Sequence, residues 1–429
     1  MQKFYHSVTL DKELCKGCTN CVKRCPTEAI RVRGGKAEII KERCIDCGEC
    51  IRLCPSHAKR AVVDSLDALD RFPYTIALPA PSLYGQFSNL EDLNILLTAL
   101  TRIGFDEVFE VSVAAEAVSA ATRRAIREGN YKKPVISSAC PAVLRIIRVR
   151  FPELIDSILD FRSPMELAAR WAKRAAAERT GLSEEQIGAI FISPCPAKST
   201  SMKSPLGTDR SAVDAVVAIS EGYPRLLAAM KEIDEPEPVA AAGGIGIGWG
   251  SAGGESAGLK NQNYLAADGI ENVIRVLEAL EDDKIPDVDF VELNACVCGC
   301  VGGVLTVESP FIARARLKRL TAKRGAVVAP ADGLPVEEIK WDSEIFYEPV
   351  MRLDEDISVA MKMLGEIKRL EESFNGMDCG ACGAPSCRAL AEDIVRGFAT
   401  EDLCIYRMRE KLQGILRNGG TAEKKELNI

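Results

Sequence analysis

Two stretches near the N-terminus repeat one spacing of cysteines: residues 15 to 26 read CKGCTNCVKRCP and residues 44 to 55 read CIDCGECIRLCP. A CxxCxxC loop wraps three thiolates around one iron–sulfur cubane, while the fourth cysteine, before proline, reaches the neighbouring cluster. The crossed pairing gives Cys15, Cys18, Cys21 and Cys54 to one 4Fe-4S cluster and Cys44, Cys47, Cys50 and Cys25 to the other. A further set, Cys379, Cys382, Cys387 and Cys404, lies in CGACGAPSC and the stretch after it. Four cysteines also satisfy a structural zinc ion, and here the company of other cluster motifs favours iron. Leu390, Ile394 and Phe398 recur every four residues, so one buried helix face is expected to carry the chain from Cys387 to Cys404.

The elements that must position the remaining cysteines follow from the pattern between about residues 72 and 370. Apolar runs alternate there with helix-period segments: YTIALPA then NLEDLNILLTAL, EVFEV then AAEAVSAATRRAI, PVISS then AVLRIIRV, and later AIFIS, DAVVAIS and FVELN. This is α/β patterning with largely parallel strands, whose carboxyl-end loops carry the site. Cys140 follows PVISSA, Cys195 follows AIFISP, and Cys296 and Cys300 follow FVELNA. Four thiolates delivered by three strand ends suit a buried cubane. Each alone could be an apolar core thiol, and Cys298 is the one cysteine the ligand sets leave over. The N-terminal linker RVRGGKAEII alternates around Gly34 and Gly35, which predicts a hairpin completing a small domain whose paired motifs match the bacterial ferredoxin pattern.

Bulk properties narrow the class. The 429 residues, 47% hydrophobic, suffice for more than one domain, and the formal charge of −7 offers no basic field for nucleic acid. The 17 cysteines, with neither an apolar leader core nor a long uncharged apolar run, point to reduced thiols binding metal in a cytoplasmic protein without a membrane span.

SACP at 138 to 141, PCPAK at 194 to 198 and ACVCGCVGG at 295 to 303 resemble, in order and at similar spacing, the three H-cluster signatures of the FeFe hydrogenases. The resemblance runs from about residue 76 to 305 and adds APS at 80 to 82, SP at 163 and 164, VDAVVAIS at 213 to 220 and WGSAGGES at 249 to 256. It implies an H-cluster domain of two parallel-sheet α/β halves, flanked by a ferredoxin-like α+β domain and a small helical iron–sulfur domain. It further implies a cubane on Cys140, Cys195, Cys296 and Cys300, with Cys300 bridging to a diiron subsite bearing CO, cyanide and azadithiolate. Lys198 presents a compact cation suited to one cyanide. Ala80, Pro81 and Ser82 would line the diiron pocket, with Ser163, Met165 and Asn294 also about it, and Gly253 and Gly254 would let backbone approach the metal. With the N-terminal pair and the C-terminal set, the expected inventory is three 4Fe-4S clusters plus the H-cluster. The expected domains are 1–66, ferredoxin-like; 67–371, H-cluster; 372–412, four-cysteine cluster; and 413–429, a flexible tail.

Departures from the highly active members fall around that pocket. Ala139 stands where they have a second cysteine, the thiol that hands protons to the azadithiolate, and their relay carboxylate is missing near Ala121 and Thr122. Asn294 and Ser193 replace methionines, and Met165 replaces a glutamine. Proton transfer needs groups within hydrogen-bond reach, so slow turnover is expected by the ordinary route. Glu255 and Glu292, the acids nearest the motifs in sequence, are candidates for a substitute path, with surface or salt-bridge roles the alternative. These departures resemble the divergent group D of the family, assigned a sensory role. The implied partners are hydrogen and protons, a ferredoxin or other redox protein, diiron maturation proteins, and a signalling kinase or phosphatase. An iron–sulfur protein with no diiron subsite is the competing reading.

Overall fold

In the segment Tyr74–Pro79 every residue from Thr75 on is buried, as befits a strand covered on both faces. It lies between Glu107–Val108 and Ile187–Ser193, with Ala215–Ala218 beyond, and all neighbours pair parallel. Alternate side chains enter two cores: Ile76, Leu78, Ala189 and Phe191 on one face, Ala77, Ile190 and Ile192 on the other. Helices Val111–Glu128 and Pro164–Thr180 cover the first face with small residues, among them Ala114, Ala117, Ala168 and Ala172. A second parallel sheet orders Tyr264–Asp268, Phe290–Asn294 and Val135–Ile136. Its core is built from Ile136, Ile146, Val273, Leu277 and Val291. The α/β fold with parallel sheets is therefore as the sequence pattern predicts.

The computed structural model describes residues 5–88, 90–260, 263–285, 287–325 and 336–418. The chain forms two compact units: Met1–Thr9, Ile45–Gly48 and Ala61–Glu348 in one, and Leu10–Cys44, Glu49–Arg60 and Pro349–Ile429 in the other. Both sheets above belong to the first. Among the described residues, no helix is long and apolar enough to cross a membrane.

In the second unit the strands Ile30–Arg33 and Lys36–Ile39 pair antiparallel about Gly34 and Gly35, at φ 54° and 73°. Two successive residues at positive φ are what a two-residue hairpin turn of this hand requires. The C-terminal cysteine segment docks on this hairpin: the Val32 amide donates to the Gly383 carbonyl at 2.8 Å. Arg31 Nε donates to the Asp393 carboxylate at 2.7 Å, with both side chains buried. One expectation is corrected here. The helix holding Cys387 ends at Val395 instead of running on to Cys404. Gly397 adopts φ 78°, and the Phe398 amide turns back to the Asp393 carbonyl at 2.7 Å, which closes the helix end. Leu390 is buried and Ile394 packs beside it, but Phe398 is 73% exposed. A last helix, Ile405–Asn418, follows Cys404. Most of the tail expected at 413–429 lies outside the described residues.

Candidate metal centre

Parallel strands bring their carboxyl ends to one side, and the loops that leave them build the centre. Cys140 and Cys195 sit immediately before helices Pro141–Arg150 and Pro196–Lys203, each with proline at its first turn. At the second of these helix N-termini the Lys198 and Ala197 amides act on the Cys195 thiol against its burial. Cys296 follows the strand Phe290–Asn294, and Cys300 opens a short turn, Cys300–Gly302. All four line one cavity of about 820 Å³, counting the space at its mouth. Burial and the neighbouring Cys195 and Cys140 thiols push Cys300 up to about 12. Burial and Cys140 push Cys195 up to about 11. Thiols crowded and desolvated in this way give up their protons when a metal binds, and four soft sulfur donors suit an iron–sulfur cubane. Cys47 packs in the same core as Cys140 and Cys195.

The rest of the cavity lining suits a second group. Ala80, Pro81, Ser82, Met165, Lys198 and Asn294 all face the cavity. Ser82 is fully buried and its Oγ has no hydrogen-bond partner among the described residues, an orphaned donor at the wall. Lys198 Nζ donates to the Ala139 carbonyl at 3.2 Å, and its positive charge acts on both Cys195 and Cys300. A Cβ on Gly250 would stand 2.9 Å from the Ser82 nitrogen, so glycine is needed for the backbone to close on that wall. Gly299, at φ 85°, faces the cavity where a Cβ would collide with the Ala252 nitrogen. These features fit a compact ligand-bearing metal unit next to Cys300.

Some expected residues fall elsewhere. Gly253 and Gly254 lie off the cavity lining, where a Cβ on Gly254 would strike the Gly248 carbonyl, and Trp249 and Gly250 take the wall. Ser163 faces an adjoining cavity of about 500 Å³ that shares Ala139, Met165 and Lys198 with the first. Ala121 and Thr122 are buried in a helix, the Thr122 hydroxyl bonding the Val118 carbonyl. Ser193 Oγ braces the Cys195 loop, accepting from the Cys195 amide at 3.2 Å. Cys298 is buried in the core with Leu83, Val301 and Leu317, away from the cavity.

Glu255 and Glu292 both line the cavity and are nearly free of solvent contact. Glu292 accepts from the Gly253 and Ser256 amides at 2.8 and 2.9 Å and from Asn294 Nδ2 at 2.9 Å. Glu255 accepts from Ser137 Oγ at 2.6 Å, and Ser137 Oγ in turn takes the Ala139 amide at 3.2 Å. Burial, and then the Glu292 charge, push Glu255 up to about 8, while Glu292 is raised by burial against the hydrogen bonds it accepts. The raised Glu255 carboxyl thus stands two hydrogen bonds from Ala139, through Ser137 Oγ. Ser137 is the residue sequence reasoning missed; its only signal was its place two residues before Ala139.

Part of the N-terminal cysteines and all four C-terminal ones are also grouped. Cys15, Cys21, Cys25, Cys50 and Cys54 share one small core, and the Ala37 amide donates to Cys15 Sγ at 3.3 Å. Cys379, Cys382, Cys387 and Cys404 line one pocket.

Known proteins place these arrangements. Residues 74–254 and 251–304 match the model of the iron only hydrogenase large subunit, C-terminal domain. Residues 7–55 match a 4Fe-4S dicluster domain, and 375–406 match a putative Fe-S cluster domain. The periplasmic [Fe] hydrogenase large subunit of Nitratidesulfovibrio vulgaris is 32% identical over 212 residues, covering 45% of this chain and 50% of that one. Iron hydrogenase 1 of Clostridium pasteurianum is 24% identical over 295 residues, 56% of this chain and 51% of that one. The NADP-reducing hydrogenase subunit HndD of Solidesulfovibrio fructosivorans is 23% identical over 200 residues, 44% and 31% of the two chains. The chain therefore spans about half or less of the length of these relatives. An apo [FeFe]-hydrogenase HydA1 variant from Chlamydomonas reinhardtii superposes with a TM-score of 0.50 at 16% identity, over 66% of this chain and 99% of that one, a likeness of fold. With the family model covering more than half of the residues, and its cysteines gathered at one cavity, the chain belongs to the iron-only hydrogenase large-subunit family.

Proposed function

We propose that the chain is a slow FeFe hydrogenase, interconverting two protons and two electrons with H₂, and that it serves the cell as a hydrogen or redox sensor of the group D type. The observation that carries the reading is the convergence of Cys140, Cys195, Cys296 and Cys300 on one cavity whose lining also presents Lys198 and the unpartnered Ser82 hydroxyl. When bound, the H-cluster would supply an open iron and an internal amine base for splitting or forming H₂. The protein's own part is to hold that group and to move protons. Cys140, Cys195, Cys296 and Cys300 would hold that group by sulfur, and Lys198 and the Ser82 hydroxyl would offer a cation and a donor to its anionic ligands. With Ala139 unable to carry a proton, Glu255 and Ser137 form the route, supported by Glu292: Glu255 accepts from Ser137 Oγ, Ser137 Oγ accepts from the Ala139 amide, and the Glu292 charge acts on Glu255. Electrons would pass through the cysteine sets of the N-terminal and C-terminal segments to a ferredoxin or other redox protein. In the sensory role, a kinase or phosphatase would read the state of the centre. Maturation proteins would install the diiron unit.

Exchange of H₂ with D₂ by the matured chain tests this. The chain should form HD, and Glu255→Gln should slow exchange about a hundredfold or more, the lower end of what a positioned acid–base group contributes. Diiron-loaded protein that forms no HD would overturn the assignment. HD formation unchanged in both Glu255→Gln and Glu292→Gln would overturn the proton route alone.

A further inference from the structure

The two halves of the N-terminal cysteine domain treat their last thiols almost identically. After Cys25 the chain reads Pro-Thr-Glu-Ala-Ile30, and after Cys54 it reads Pro-Ser-His-Ala-Lys59. The Ala29 amide donates to Cys25 Sγ at 3.2 Å, and the Ala58 amide to Cys54 Sγ at 3.2 Å. Thr27 Oγ1 lies 3.9 Å from the first sulfur, and Ser56 Oγ 3.6 Å from the second. The symmetry breaks at the fifth residue. Ile30 is 2% exposed, and its counterpart Lys59 is 3% exposed.

Lys59 Nζ is buried and has no hydrogen-bond partner among the described residues. An ammonium taken out of water with nothing to meet it costs several kcal/mol, so a buried lysine with no protein partner points to an anionic neighbour of another kind. Its charge acts on the Cys21 thiol more strongly than anything but burial itself, and only weakly on Cys25. Cys15, which shares Cys21's small core, has its carbonyl held by Lys36 Nζ at 2.8 Å. A cubane bound by four thiolates is anionic and gains one more negative charge on reduction. A cation fixed beside it therefore stabilises the reduced form more than the oxidised one.

We propose that Lys59 is a built-in countercharge that makes the set Cys15, Cys18, Cys21 and Cys54 the more easily reduced of the paired clusters. One electron from a low-potential donor, such as dithionite acting through a mediator, then reduces that cluster and leaves its neighbour oxidised. The apolar Ile30 provides no matching stabilisation in the other half. The proposal rests on the N-terminal cysteines holding two cubanes, and is independent of any hydrogen chemistry at Cys300.

The test is an electron-paramagnetic-resonance redox titration of the full, cluster-loaded chain. Cys18→Ser or Cys44→Ser changes the signal of one cluster at a time and so assigns the two steps. In the unsubstituted chain the first electron should enter the Cys18 cluster. Lys59→Met, similar in volume, should shift the sharing of that electron toward the other cluster at least tenfold, which is 59 mV for one electron, and Lys59→Arg should not. Ile30→Lys, which leaves Lys59 in place, should narrow the gap from the other side, and gives an answer even if Lys59→Met loses its clusters. Sharing unchanged in Lys59→Met, or a gap unchanged in Ile30→Lys, overturns the role of Lys59. An unsubstituted chain with no reducible pair overturns the cluster reading instead.

Discussion

Glu255 is the residue at which burial and chemistry are most directly opposed. Its carboxyl is pushed from the ordinary carboxylate range to about 8, first by desolvation and then by the Glu292 charge. An acid with a raised folded-state value binds more protons folded than unfolded, so its contribution to stability is intact below about 4.5 and is lost as pH rises toward 8. Within that window each pH unit costs up to about 1.4 kcal/mol. Urea unfolding of the cluster-free chain at pH 5.5 and 7.5 should show this loss, and Glu255→Gln should remove most of it; an identical pH slope in the two proteins would contradict the protonated pair. The pairing could not be read from the sequence. Both acids stood out as close to motifs, but nothing in their numbering says that a short helix after Gly253 brings Glu255 into electrostatic reach of the strand residue Glu292, or that Ser137 closes the chain to Ala139.

At the level of elements, the cysteine positions were legible because ligand loops obey short-range geometry, and strand-end placement follows from parallel pairing. Helix ends were less so. Gly397 sits inside an apolar four-residue period, and only its left-handed backbone reveals that the period stops being helical there. The docking of the C-terminal cysteine helix on the N-terminal hairpin was illegible for a different reason: it depends on charges hundreds of residues apart. Asp393 serves both Arg31 and Arg33, and Glu392 serves Arg43. Removing one partner of a buried pair strands the other, so Asp393→Ala should destabilise the second unit by about 3 kcal/mol. Arg31→Met combined with Asp393→Leu should recover much of that. Chemical denaturation followed by the fluorescence or circular dichroism of this unit checks it, and a loss below 1 kcal/mol would mean that backbone contacts such as Val32 to Gly383 carry the docking.

Over the whole molecule, two compact units divide the work that the cysteine map implies. One gathers four thiolates, two buried acids, a lysine and an orphaned hydroxyl around a single cavity, and the other holds the first N-terminal set and the C-terminal set. The family membership covers the first; the loading of its cavity is what the proposed activity depends on. Infrared spectroscopy of the chain after diiron maturation tests that most directly. The account predicts CO and cyanide stretching bands that respond to H₂, that shift in the cyanide region when Lys198 is replaced by methionine, and that vanish in Cys300→Ala. A matured chain with its cubanes intact but no such bands, or bands that persist unchanged without the Cys300 thiol, would contradict it.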